Sequence, residues 1–168
     1  LANLAIASLS STMTVFSGQN LGAGNYRRLC RSAWLIPLSA GAITLSAGIL
    51  VTIFCNPLLA LFTHDTAVLA FATRYIHIVL PFTWMYAIMN VIMCFANGIG
   101  EIKYPTIVNL FILWGVRIPV AYLLSRLGYG GYAMASVPLS FLAGMILMLF
   151  YFRTKRWAKL CALAKNEP

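Results

Sequence analysis

The sequence predicts an all-α, polytopic membrane helix bundle with five transmembrane helices. Three observations carry this reading. First, 61% of the 168 residues are hydrophobic and only 9% are charged, with a mean hydropathy of +0.86. A soluble domain carries about 25% charged residues, so this chain lacks the polar surface to face water on every side. Second, the charges are segregated. No Asp, Glu, Lys or Arg occurs over 1–26, 32–64, 75–100 or 127–152, and 104–125 is broken only by Arg117. Each run reaches the roughly 20 residues that a helix needs to cross a bilayer. Third, the runs do not alternate. "GAITLSAGILVTIF" and "GMILMLFYF" are apolar all round, as lipid-embedded helices can be. A membrane barrel would alternate apolar and polar residues over ~10-residue segments.

These runs place the helices at about 2–19, 33–55, 73–97, 104–125 and 131–152. Residues 1–152 form the bundle and 153–168 a basic cytoplasmic tail. The first helix begins inside an apolar run. No charged n-region or cleavage site precedes it, so it does not read as a signal peptide. The expectation is that an upstream part is missing and that the chain is the C-terminal portion of a larger membrane protein. The second helix carries Ala40, Thr44 and Gly48 four apart, and the fifth carries Ser136, Ser140 and Gly144. Such stripes let helix backbones approach closely. Pro37, Pro81, Pro119 and Pro138 each fall within a span. They kink helices in a protein that bends, or reflect the higher frequency of proline in membrane helices; both readings stand.

The third helix has a polar stripe. Thr83, Tyr86, Asn90 and Asn97 follow at steps of three, four and seven, with Met93 among them, so they share one face. Polar groups are costly in lipid and face a bundle interior or a wet cavity. The stripe is a cavity wall that touches cargo, or it hydrogen-bonds neighbouring helices. The fourth helix adds Asn109 and Arg117. Arg117 has no Asp or Glu within any other span, so it must bond carbonyls or water, or snorkel outward. His77 reads as a hydrogen-bonded structural residue before a proton carrier. The His64–Asp65 pair has no nucleophile motif beside it, and no catalytic constellation points to an enzyme.

The net charge is +9. It is distributed by side of the membrane. With five crossings, Arg27, Arg28, Arg31, Lys103, Arg153, Lys155, Arg156, Lys159 and Lys165 share one side, and Arg74 and Arg126 lie on the other. Basic loops stay in the cytoplasm. The C-terminus is therefore expected there, in a multi-pass membrane protein. The charge then needs no nucleic-acid partner. The tail is expected as a short interfacial helix with Trp157, Leu160 and Cys161 toward lipid. Cys30, Cys55, Cys94 and Cys161 show no CxxC spacing, so neither a disulfide framework nor a metal site is expected.

"GQNLGAGNYRR" opens the stretch Gly18–Trp34, a glycine-rich, basic junction between two apolar runs. It resembles the signature loop of the multidrug and toxic compound extrusion (MATE) transporters. "ANGIGEIKYP", from Ala96 to Pro105, resembles that family's Gly-x-Gly-[acid]-x-[base]-x-Pro turn. "LWGVRIPVAYLL", from Leu113 to Leu124, resembles its Trp-x-x-Arg-[Ile/Leu]-Pro segment. Three segments in the right order make the match specific. The resemblance implies the eighth to twelfth helices, within the second six-helix half of a MATE-type transporter. It implies a structural hinge at Gly18, Gln19, Gly22, Ala23 and Gly24. The junction lacks the Lys-[Ser/Thr] of a nucleotide cradle. The resemblance further implies cation-coupled (H+ or Na+) efflux of drugs and organic cations by alternating access, with no other cofactor and with a missing N-terminal half as partner. Some family members carry an acid near Tyr86; this chain does not, so the coupling charge is expected upstream. A flippase of polysaccharide or lipid-linked cargo, or a non-transporting membrane protein, are the alternatives.

Overall fold

The computed structural model describes residues 2–60, 65–127 and 134–154, together with Trp157, Lys159, Leu160, Ala162 and Leu163 of the tail. Every element among them is helical: α1 (Ala2–Gly22), α2 (Tyr26–Ile53), α3 (Cys55–Ala60), α4 (Thr66–Val79), α5 (Thr83–Gly98), α6 (Lys103–Leu110), α7 (Ile118–Arg126) and α8 (Ser136–Phe150). Four stretches are long and apolar enough to cross a membrane: Tyr26–Ile53, Val68–Gly98, Lys103–Arg126 and Ser136–Arg153. The first expected span, now α1, is long enough at 21 residues. It is less apolar than the others because Ser8, Ser10, Ser11, Thr12, Thr14 and Ser17 sit along it.

Helix α5 is the centre of the bundle. It packs against α1, α2 and α8. Ala87, Val91, Phe95 and Ala96 are fully enclosed, and Met13, Leu29, Ala40 and Met148 close the core from the three neighbours. Small residues set these distances. A Cβ on Gly98 would collide with the Ser17 hydroxyl and the Thr14 carbonyl, and one on Gly18 would lie 3.3 Å from the Gly98 carbonyl oxygen. The backbones of α1 and α5 therefore cross in contact. Two of the segments that carry the family resemblance meet at this crossing. The expected stripes also pack: Ala40, Thr44 and Gly48 are buried on α2, and Ser136, Ser140 and Gly144 on α8. A Cβ on Gly144 would strike the Met89 sulfur and the Ile112 side chain.

Beyond the crossing, α1 and α5 end in the same way. Gly24 has φ +75° and Gly100 has φ +80°. The Asn25 amide donates to the Asn20 carbonyl at 2.9 Å, and the Gly24 amide to Leu21 at 3.2 Å. The Glu101 amide donates to Ala96 at 2.8 Å, and the Gly100 amide to Asn97 at 3.0 Å. Each is a left-handed glycine cap that satisfies the last helix carbonyls. The Gly-Gln pair does not end α1, as expected from sequence; the helix runs on to Gly22, and only Ala23 to Asn25 turn. So tight a reversal lets α2 start at Tyr26, and Arg27, Arg28 and Arg31 stand on its first turns.

The third expected span is longer than 73–97 and is built in two pieces. Asp65 precedes α4, its carbonyl accepting from the Leu69 amide at 2.9 Å and its carboxylate lying 3.5 Å from the Val68 amide. A 3-10 turn at Leu80–Phe82, around Pro81, joins α4 to α5. The other prolines differ in effect. Helix α2 continues through Pro37, while Pro138 sits in the first turn of α8, where no intrahelical donor is lost. Residues 131–133, expected within the fifth helix, lie outside the described residues, as does His64.

The tail departs from expectation. Trp157 and Leu160 are each only 8% exposed and face the bundle, not lipid. Trp157 meets Phe95 edge-on with centroids 5.8 Å apart and Phe152 at 4.8 Å, and Phe152 stacks on Trp34 at 4.4 Å. Aromatic burial outweighs the amphipathic pattern that suggested an interfacial helix. Cys161, Lys155, Arg156 and Lys165 lie outside the described residues.

Replacing Gly98 by Ala should destabilise the bundle by about 1–3 kcal/mol, the cost of overpacking against backbone. Gly22→Ala, with nothing within 4 Å of its added methyl, should leave stability nearly unchanged. Thermal unfolding of both variants in one detergent checks the pair.

Candidate functional site

The polar residues expected on one face of α5 divide into three environments. Thr83 is buried at the start of the helix and donates to the Val79 carbonyl at 3.3 Å. It is self-satisfied and lines no groove. Asn90 is a strut. Its Oδ1 accepts from Ser10 on α1 at 2.8 Å and lies 3.8 Å from the Cys94 sulfur, while its Nδ2 donates to the Tyr86 hydroxyl at 3.2 Å. Thr14 adds a second bond between the helices, donating to the Cys94 carbonyl at 3.3 Å. Asn97 is exposed and faces an open groove of about 290 Å³ with Met93, Ile102, Pro105, Thr106 and Asn109. The fold thus brings Asn97 and Asn109 together from two helices.

Arg117 is placed by an irregular backbone. Phe111–Arg117 is a π-helical segment between α6 and α7, and Pro119 follows in the first turn of α7. Pro119 cannot donate to the preceding turn, and Gly115 offers little side-chain bulk, so this stretch tolerates a wider winding. Arg117 lies nine residues inside the Arg126 end of its span, roughly 14 Å along a helix. Its guanidinium carbon stands 6.0 Å from the centroid of the Phe141 ring on α8. Phe141 also meets Tyr86, with ring centroids 5.0 Å apart. Asn90, Tyr86, Phe141 and Arg117 therefore form one row across α5, α8 and the π segment.

Magnitudes show that this row does not balance the charge. An arginine at the centre of a transmembrane helix costs about 2.5–3.5 kcal/mol on insertion scales. A cation–π contact returns about 0.5–2 kcal/mol, and less at the outer limit of its range. No Asp or Glu among the described residues lies inside a span: Asp65 and Glu101 sit at helix ends. The guanidinium retains most of its need for water or an acceptor.

A second groove was not foreseen. Ser11, Thr12, Val15, Phe16 and Gln19 line an open surface of about 370 Å³ along the exposed face of α1. The Ser11 and Thr12 hydroxyls both donate to the Ser8 carbonyl at 2.9 Å, which leaves their lone pairs facing outward. The signal was in the sequence, as Ser11, Thr12 and Gln19 at steps of one and seven on one helix face. Ser10 and Phe141 were missed too, because their roles come from partners 80 and 24 positions away. His77 is a structural residue here: its Nδ1 lies 2.8 Å from the Thr73 carbonyl, one turn back, to which it donates. Among the described residues no three His, Cys, Asp or Glu side chains converge as metal ligands.

Long apolar helices around a buried apolar core, with hydroxyl and amide groups gathered on open grooves, define a multi-pass helical membrane protein. The MatE family model matches residues 2–123, more than half of the sequence, and the chain belongs to that family. Similar proteins include the probable multidrug resistance protein YoeA of Bacillus subtilis (strain 168), 27% identical over 154 residues that cover 87% of this chain and 32% of that protein. The probable multidrug resistance protein NorM of Thermotoga maritima is 24% identical over 166 residues, covering 95% and 35%. The uncharacterized transporter YisQ of Bacillus subtilis is 28% identical over 138 residues, covering 79% and 29%. The chain spans about a third of the length of these curated relatives. No solved structure matches.

A double-mutant cycle on Ser10→Ala and Asn90→Ala should give a coupling of about 0.6–1.7 kcal/mol, the range for interhelical hydrogen bonds in membranes. Unfolding of the wild type, both single variants and the pair measures it.

Proposed function

We propose that this chain supplies part of a secondary transporter that exports drugs and organic cations by alternating access, coupled to H+ or Na+. It works together with a first six-helix half in a bacterial inner membrane, its basic end and C-terminus in the cytoplasm. The observation that carries the reading is the hydroxyl- and amide-lined face of α1, with Ser11, Thr12 and Gln19 on an open groove of about 370 Å³. A helix surface of this kind is poorly suited to acyl chains and well suited to a wet cavity. The grooves offer neutral acceptors and donors, which suit varied cargo held by apolar contact and a few hydrogen bonds. The names of YoeA and NorM, both probable multidrug resistance proteins, support the same cargo class.

The coupling charge belongs outside these spans. Tyr86 and Asn90 are bonded to each other at 3.2 Å, and neither is a carboxylic acid. The basic residues on the first turns of α2, with Lys103 and Arg153, mark the cytoplasmic end.

The test is expression of the intact transporter in a bacterium stripped of its own efflux pumps. Resistance to several organic cations should rise, and an imposed proton or sodium gradient should drive dye efflux from vesicles. Asn97→Ala and Asn109→Ala should alter the drug profile without lowering the amount of protein in the membrane. Asn90→Ala should lower that amount, since its bonds hold α1 to α5. Unchanged resistance on expression would overturn the export reading.

A further inference from the structure

We propose that Arg117 is an anion-binding residue, and that its ligand is an amphiphile with an aromatic or acyl body and one carboxylate, sulfonate or phosphate group. The inference rests on the transport reading above and names a ligand class for Arg117, apart from the groove residues that carry that reading. Three observations carry it. Arg117 is half-buried deep within the Lys103–Arg126 span, and its described contact is the Phe141 ring at 6.0 Å. No carboxylate among the described residues lies within any span, so the described side chains there provide no counter-ion. The π segment fixes which way Arg117 points. An α-helix turns about 100° per residue, so drawing Phe111–Arg117 back to α-helical winding would swing Arg117 away from Phe141.

The chemistry of the surroundings is amphiphilic. Phe141 and Tyr86 present ring surface with centroids 5.0 Å apart, and the guanidinium stands over the Phe141 ring, 6.0 Å from its centroid. A planar guanidinium in a poorly hydrated setting binds an oxyanion through two parallel N–H donors. Cationic cargo gains nothing there, because like charges repel. A membrane-soluble anion gains both ring contact and charge neutralisation. It comes either from the aqueous phase or from the headgroup of a lipid lying against the exposed α6–α7 face.

Equilibrium dialysis of the full chain in neutral detergent tests this with 2-naphthoate and its uncharged isostere 2-naphthamide. The wild type should retain naphthoate about tenfold more tightly than Arg117→Gln, the scale of one charge-assisted hydrogen bond. Arg117→Lys should keep part of the preference, and naphthamide should not distinguish the three. Should Arg117→Gln fail to fold, wild-type naphthoate should be displaced by 2-naphthalenesulfonate and not by tetraethylammonium. Equal retention by wild type and Arg117→Gln, or displacement by tetraethylammonium as readily as by the sulfonate, would overturn the proposal. Repeating the dialysis in phosphatidylcholine nanodiscs with phosphatidylglycerol added separates the sources. Competition assigns the site to a lipid phosphate, and its absence to an aqueous anion; both keep the anion site. Drug resistance conferred by the intact transporter is read separately, so loss of the anion site and loss of the export function are distinguishable.

Discussion

The close crossing of α1 and α5 is the constraint on which the rest of the bundle depends. At Gly98 a single methyl would strike Ser17 and Thr14, and Gly18 faces the Gly98 carbonyl from the other helix. Lipid gives helices no hydrophobic reason to associate, so contact must come from van der Waals fit and hydrogen bonds. The glycines supply the first. The backbones approach, and the approach brings Ser10 and Thr14 within reach of Asn90 and the Cys94 carbonyl. Once α5 is fixed against α1, its other faces are free to receive α2 and α8. The glycine caps at Gly24 and Gly100 then turn both chains just past the crossing.

The same crossing divides polar groups into bonded and available. On the inner side, Ser10, Ser17, Thr44 and Thr83 find partners, Ser17 and Thr44 within their own helices and Thr83 one turn back at the end of α4, and cost the fold little. Side chains turned away from α5 have no such helix to answer them. Ser11, Thr12 and Gln19 on α1, and Asn97 and Asn109 at the far end of α5 and in α6, lie on open grooves. A stripe read as one wall is therefore two things: a strut at Asn90 and a groove lining at Asn97.

Much of the fold was legible because its signals are local. Charge-free runs located the spans, and small residues at four-residue spacing marked the faces of α2 and α8 that pack. The Gly-rich segments were legible as turns, though not that Gly18 and Gly98 would touch, since contact between residues 80 apart leaves no trace in spacing. The π segment was hidden because π and α winding share residue preferences. The burial of Trp157 was hidden because its partners, Phe95 and Phe152, come from elsewhere. For the candidate site, sequence identified most of the α5 and α6–α7 residues and missed α1. Hydroxyl residues count as mildly polar in any window, and their meaning comes from which of them α5 covers.

Arg117 is where local order gives way to something else. Its helix is the least covered of the spans, with Ile107, Trp114 and Leu123 exposed, and it meets the bundle chiefly through Ile112 against Gly144. A regular helix would suffice for such a lipid-facing element. The π segment is instead placed where Arg117 stands, with Gly115 before it and Pro119 after. Irregular winding of this kind recurs at functional positions because it re-aims a side chain at the expense of regular hydrogen bonding. Here it aims a permanent positive charge over an aromatic ring that cannot neutralise it. The span thus combines a charge that the described residues leave without a carboxylate with a backbone wound to hold that charge in place.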